Sequence, residues 1–102
     1  MHQANIGLYR VKPGTADEVI HHVVAGLAPV YRNQPGFVAY ELIKTCDEGL
    51  VSLSVWNRAE QAEVAAMRAA AWQRQHLGDM VTGVEHRVGA VAFFWDLAGI
   101  GR

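Results

Sequence analysis

Apolar and polar residues alternate along four stretches of this chain and recur at helical spacing along two others. Alternation with a period of two is typical of a strand with one buried face. Apolar residues three and four positions apart are typical of an amphipathic helix. The pattern predicts strands over 3–12, 37–45, 50–57 and 84–95, and helices over 16–33 and 58–79. This β-α-β-β-α-β order predicts a ferredoxin-like α+β sandwich, with two helices on one face of a four-stranded antiparallel sheet.

Two predictions concern the helices themselves. Pro29 lies inside the apolar stripe of the first helix, and it has no backbone N–H to donate, so we expect a kink or a tightened last turn there. Asn57 is the expected N-cap of the second helix, with Glu60 at the position that completes a capping box. Seven alanines between positions 59 and 71 favour helix in the same segment.

Composition limits the class of protein. A length of 102 residues predicts one domain over 1–102, with a core over about 4–95 and a short tail over 96–102. The net charge of −1 argues against nucleic acid as the main partner, and 51% hydrophobic residues argue against disorder. The chain has no apolar run of about 18 residues and no secretory signal, so we expect no membrane span and a cytoplasmic location. The single cysteine, Cys46, excludes an intramolecular disulfide.

The sheet face away from the helices is predicted to be apolar too. Ile6 and Leu8 lie opposite Tyr9 and Val11 on the first strand, and 88–95 is almost continuously apolar. An uncovered face of this kind would exceed the apolar patch that a monomer usually exposes. We therefore expect a homodimer that packs sheet against sheet, a dimeric α+β barrel.

Several short motifs occur in a recognisable order: YRVKPG at 9–14, QPGF at 34–37, VSLSVW at 51–56 before a helix, and a late strand ending in FFW. Together they resemble the antibiotic biosynthesis monooxygenase (ABM) domain of the dimeric α+β barrel superfamily. The resemblance spans roughly 4–95. It implies one of several activities: cofactor-free oxidation of polyketide anthrones or quinols, heme degradation, isomerisation or cyclisation of a small molecule, or binding without catalysis.

The second helix carries the first candidate site residues. Trp72 and His76 are four residues apart on its apolar stripe, so they are expected to face the sheet beside Gln73. The rest of the stripe is small, which predicts either close packing or a hollow: Ala62, Ala65, Ala66, Ala69. A hollow bounded by these side chains would suit a ligand. We expect His76 to be partly desolvated and neutral, and so able to act as a base; a core histidine bonded to a carbonyl is the alternative.

The strands supply the remaining candidates. Asn5 and Tyr9 share the helix-facing side of the first strand, where an amide and a phenol can bind substrate oxygens. The alternative for Tyr9 is a core residue with its hydroxyl at the rim. Arg87 is a candidate for stabilising an anionic substrate, the alternative being a solvated charge. Trp56 is the further aromatic candidate for substrate binding.

These residues lead to one hypothesis and its alternatives. The chain is predicted to be a monooxygenase or oxidase that takes an electron-rich aromatic substrate and dioxygen, with no cofactor and no metal. His76, Asn5 and Trp72 would be catalytic, while Tyr9, Gln73, Arg87 and Trp56 would bind substrate. The alternatives are a heme-degrading monooxygenase, a polyketide cyclase or isomerase, and a non-catalytic binding dimer. The heme alternative fits His76, but Gly7 and Met67 stand where the resemblance would place an Asn and a Trp.

Overall fold

The computed structural model describes residues 1–95, and the predicted tail over 96–102 lies outside them. Its strands are β1 (Gln3–Val11), β2 (Phe37–Cys46), β3 (Gly49–Trp56) and β4 (Val81–Ala90). All neighbouring strands pair antiparallel, in the order β2-β3-β1-β4, and the helices pack on one face. The predicted ferredoxin-like fold is confirmed.

The last strand differs from its predicted bounds of 84–95. It begins at Val81, directly after a 3-10 turn over Gly78–Met80, and it ends at Ala90. Ala90 lies opposite Gln3, the first residue of β1, and the backbone N–H of Val91 makes one more bond, to the carbonyl of His2 at 2.8 Å. Apolar character continues to Trp95, but the strand ladder with β1 ends here.

The first helical region contains an unexpected turn. Helix α1 (Ala16–His22) continues as a π-helical segment (Val23–Leu27) and then as helix α2 (Ala28–Arg32). The turn before Pro29 is wider than an α-helical one, whereas the last turn is tightened as expected, with the backbone N–H of Gln34 donating to the carbonyl of Tyr31 at 3.0 Å. Pro29 cannot donate to the carbonyl four residues back, and the backbone N–H of Ala28 donates instead to the carbonyl of Val23, five residues back.

The second helix, α3 (Ala59–His76), begins one residue later than predicted and ends three residues earlier. Arg58 is the N-cap instead of Asn57. Its backbone N–H donates to Oε1 of Gln61 at 3.0 Å. The helix buries three of the predicted small residues, Ala62, Ala65 and Ala69, so the alanine stripe serves close packing on the sheet.

The core lies between the helices and the facing side of the sheet. Trp56 is at its centre and has no exposed surface. The rings of Tyr31 and Phe37 meet the Trp56 ring edge-on, with centroids 5.3 and 5.5 Å away. The Tyr31 hydroxyl also donates to the carbonyl of Ala65 at 3.0 Å, which ties α2 to α3.

The opposite sheet face is largely uncovered. Leu8 and Ile43 are 42% and 46% exposed on it. Arg87 also lies there, since it pairs with Ile6 in the register of β1 and β4. Among residues 1–95, no helix is long and apolar enough to cross a membrane.

Candidate functional site

A group of polar side chains lies on the helix-facing side of the sheet, where apolar residues would be expected. Asn5 and Ser54 are each 1% exposed, and Ser52 is 5% exposed. These side chains lie side by side, because Asn5 pairs with Ser54 and Gly7 pairs with Ser52 between β1 and β3. One of these polar groups has a hydrogen-bond partner within the core: Trp56 Nε1 donates to Ser54 Oγ at 2.9 Å.

Tyr9 folds back over Gly7 to join this group. A Cβ placed on Gly7 would lie 2.6 Å from Tyr9 Cε2 and 2.5 Å from Ser52 Oγ, so only glycine leaves room for the ring. Burial raises the pKa of Tyr9, and a hydrogen bond with Ser52 partly opposes that rise. The phenol therefore stays protonated at neutral pH and can donate a hydrogen bond.

Helix α3 covers this group with Trp72 and Gln73, both half-buried. Tyr9, Trp72 and Gln73 line one cavity between helices and sheet, together with apolar residues that include Leu27 and Leu50. Its volume is about 10 Å3, which is room for about one water molecule. The predicted hollow is therefore closed in this structure, and Asn5 and His76 are not among the residues that line it.

The expected position of His76 is wrong. It is exposed, at the last residue of α3, with its ring centroid 5.1 Å from that of Trp72. The inward side of α3 runs through Ala69 and Gln73, and its next member is the buried Leu77. Trp72 lies at the edge of that side, so the residue four positions later points to solvent.

Two further candidates do not join the predicted site. Arg87 lies on the face away from the helices, exposed and ion-paired with Glu85. Trp56 is on the expected face, but it is sealed in the core among other aromatic rings, so substrate cannot reach it in this structure. Asn5, Tyr9, Trp72 and Gln73 remain as the predicted residues at the helix–sheet interface.

Unsatisfied polar atoms mark the same region. Within residues 1–95, three buried side-chain atoms have no hydrogen-bond partner: Asn5 Nδ2, Gln73 Oε1 and His86 Nε2. Buried polar groups normally have partners, so such atoms need an explanation, and a bound ligand or water is one. Residues 1–95 hold no group of three or more His, Cys, Asp or Glu side chains that could bind a metal ion.

His86 is the residue that sequence reasoning missed. In the register of β1 and β4, His86 pairs with Gly7, which places it on the helix-facing side of the sheet. Arg87 lies on the other side. Its Nδ1 lies 3.3 Å from Asn5 Oδ1, and its ring meets that of Tyr9 edge-on at 5.8 Å. Alternation along β4 separates His86 from Arg87, but only the register with β1 decides which of them faces the helices.

Solved structures with the same fold include enzymes of known type. A mutant of SnoaB, a cofactor-independent oxygenase from Streptomyces nogalater, is 21% identical with a TM-score of 0.69, over 89% of this chain and 93% of that chain. The ActVA-Orf6 monooxygenase of Streptomyces coelicolor, solved with nanaomycin D, is 19% identical with a TM-score of 0.68, over 87% and 89%. A MhuD mutant with two manganese protoporphyrin IX molecules per active site is 20% identical with a TM-score of 0.71, over 92% and 98%.

These identities are low, so the likenesses establish the fold alone. No curated protein matches the chain at a significant level. The sequence profile of the antibiotic biosynthesis monooxygenase family matches residues 3–76, most of the chain. The chain therefore belongs to the antibiotic biosynthesis monooxygenase family.

Proposed function

We propose that this protein is a cofactor-independent monooxygenase that oxidises an electron-rich aromatic substrate, of the anthrone or quinol type, with dioxygen. Family membership supports the monooxygenase class. SnoaB, which shares this fold, is called a cofactor-independent oxygenase, so the fold can support such chemistry. The substrate would bind between α3 and the helix-facing side of the sheet.

The observation that carries the proposal is the unpartnered amide of Asn5. Its side chain is 1% exposed, and its Nδ2 has no hydrogen-bond partner among the described residues. The Tyr9 phenol and the Gln73 amide lie on the two sides of the adjacent cavity. The amides of Asn5 and Gln73 and the phenol of Tyr9 suit a flat substrate with oxygen substituents. They can bind its oxygens while Trp72 and the apolar residues of the cavity hold its rings.

The reaction needs little beyond this environment. Loss of a proton from an anthrone gives an electron-rich anion that reacts with dioxygen. One oxygen atom enters the ring system as a ketone, and the other leaves as water with the two hydrogens of the oxidised carbon. The protein must exclude water, accept a proton and stabilise the anion through donors such as Asn5 Nδ2 and the Tyr9 hydroxyl.

An oxidation assay tests this function. We expect purified protein to convert 1,8-dihydroxy-9-anthrone to the anthraquinone faster than buffer does, and to incorporate one labelled atom from 18O2. Asn5→Leu replaces the amide with an apolar group of the same branching and should abolish the excess rate. Asn57→Leu, the same change at an exposed position, is the matched control. Equal rates with wild type, Asn5→Leu and buffer would refute the proposal and leave a non-catalytic binding protein.

We also propose that the protein acts as a homodimer through its uncovered sheet faces. The segment after β4, over 91–94, lies beside this face and bounds an apolar concavity of about 670 Å3 together with Ile6, Leu53 and Val55. Exposed apolar residues on that face, such as Leu8 and Ile43, would be removed from water by a second copy.

Light scattering checks the assembly. We expect a mass of twice 11.2 kDa at micromolar concentration. Leu53→Glu places a charge in the middle of the face and should give a monomer, whereas Val64→Glu, at an exposed site on α3, should leave the dimer intact. A monomeric wild-type protein would overturn the dimer while leaving the helix–sheet site in place.

A further inference from the structure

His86 belongs to the polar group beneath α3, and the function proposed above does not yet use it. Its ring is half-buried on β4 and is held from two sides by β1. Asn5 contacts Nδ1 at 3.3 Å, and the edge of Tyr9 packs against the ring at a right angle. Gly7, directly across the strand pair, gives Tyr9 the space to reach it.

The contact with Asn5 fixes which nitrogen carries the proton. The Asn5 amide turns its oxygen toward His86 Nδ1 in this structure. An amide oxygen only accepts hydrogen bonds, so in this orientation Nδ1 is the protonated nitrogen that donates to Asn5 Oδ1. In a neutral imidazole the other nitrogen then holds a lone pair. That nitrogen, Nε2, is buried and has no partner among residues 1–95.

The surroundings of His86 keep the ring neutral. Burial lowers its pKa below the ordinary histidine value of 6.5. The titratable group packed on the ring is Tyr9 of β1, which is itself uncharged at neutral pH because burial raises its pKa. The imidazole is therefore neutral at pH 7 and has a lone pair available to accept a proton.

We propose that His86 is the proton acceptor of this site, taking the acidic proton of the aromatic substrate onto Nε2 while Asn5 Nδ2 donates to the oxygen that becomes negative. The substrate loses its C–H or O–H bond and Nε2 gains N–H. The electron pair stays on the substrate as an enolate or phenolate. The proton on Nε2 leaves with the reduced oxygen atom as water, which restores the neutral ring.

This inference rests on the oxygenase function proposed above, and it assigns the role that the sequence pattern suggested for His76. An exposed histidine competes with solvent for the substrate proton and does not exclude water from the anion. His86 contacts Asn5 through Nδ1, and each side chain keeps one buried nitrogen without a partner, so one adjoining pair of side chains offers both the base and the donor that the anion needs.

Kinetics of matched variants test the assignment. His86→Gln keeps a side chain of similar size without a base. We expect it to lower kcat for 1,8-dihydroxy-9-anthrone about 10²-fold or more, the usual size of a general-base effect, with little change in KM. His21→Gln, at an exposed position on α1, is the control for losing a histidine. The wild-type rate should fall on acidification with a midpoint below 6.5, and the variant should lose that dependence.

A second measurement does not depend on turnover or on the variant folding. Nitrogen NMR of the wild-type protein at pH 7.5 should show His86 as the neutral tautomer with the proton on Nδ1. Its titration midpoint should lie below 6.5. A proton on Nε2, or a ring charged at pH 7.5, would overturn the inference whatever the activity.

The outcomes separate the two proposals. Wild-type protein without oxidase activity refutes the function, and the NMR tautomer alone then decides whether His86 is built as a base. An active wild-type protein whose His86→Gln variant keeps its rate and its pH dependence overturns the role of His86 and leaves the oxygenase function standing.

Discussion

Replacing Gly7 with alanine tests the geometry of the site at a single methyl group. The new Cβ would lie 2.5 Å from Ser52 Oγ and 2.6 Å from Tyr9 Cε2, whereas ordinary contacts begin near 3.4 Å. Both side chains must therefore move by nearly 1 Å. Tyr9 is the more consequential, since its ring packs against both His86 and the cavity beneath Trp72.

The stability effect of Gly7→Ala combines two terms. Overpacking a close-packed site costs about 1–3 kcal/mol, and alanine returns about 0.4–1 kcal/mol by restricting the unfolded chain. We expect a net loss of about 1–2 kcal/mol. At about 4–8 °C per kcal/mol for a domain of this size, the melting temperature should fall by about 4–16 °C.

Calorimetry at fixed protein concentration measures this change, and the anthrone assay measures its effect on activity. Gly89→Ala is the matched control, because a Cβ there meets nothing within 4 Å. Ser52→Ala removes one of the two clashing atoms and should restore part of the loss in the double variant. A Gly7→Ala protein as stable and as active as Gly89→Ala would show that Tyr9 does not lie where the structure places it.

Three other predictions follow from the same residues. Trp72→Ala should enlarge the cavity of about 10 Å3 and weaken binding of an anthraquinone. It should also destabilise the fold by about 3 kcal/mol, the low end for losing a large ring, because Trp72 is only half-buried. Unchanged affinity in a fluorescence titration would contradict the place of Trp72 in the site. Hemin should give no stable 1:1 Soret band, since Gly7 and Met67 stand where the family resemblance would place an Asn and a Trp; tight binding abolished by His76→Ala would revive the heme alternative. His86 binds its proton less tightly when folded, so melting temperature should fall as the pH drops below 6.5, and His86→Gln should flatten that slope relative to His21→Gln.

The sequence predicted the order of elements well because each carries its own periodicity. Strand alternation and helical spacing act over a few residues, so it could be predicted that Asn5 and Tyr9 share one face of β1. The end of β4 could not, because it depends on where β1 begins across the sheet. The π-helical segment could not be predicted either, since Pro29 shows only which hydrogen bond is lost and not which replaces it.

The candidate site was harder to predict because it depends on angles and register. His76 was placed on the inward side of α3 by its spacing from Trp72, yet Trp72 lies at the edge of that side and Leu77 takes the buried position. Arg87 and His86 are adjacent in sequence but on opposite faces, and the choice between them is made by pairing with Ile6 and Gly7. A period-2 pattern divides a strand into two sets without saying which set faces the helices.

Three local features close the cavity beneath α3. Pro29 leaves a carbonyl without its helical donor, and the chain responds with the wider turn over Val23–Leu27. That turn carries Gly26, where a Cβ would lie 2.7 Å from Trp72 Cζ2, so the absence of a side chain lets the indole lie against the helix backbone. The indole in turn lies over the cavity that Tyr9 and Gln73 line. We expect an aromatic substrate to displace this ring on entry, and π-helical turns are frequent at functional sites. The wider turn thus connects a helix-breaking residue in the sequence to the side chain that closes the cavity lined by Tyr9 and Gln73.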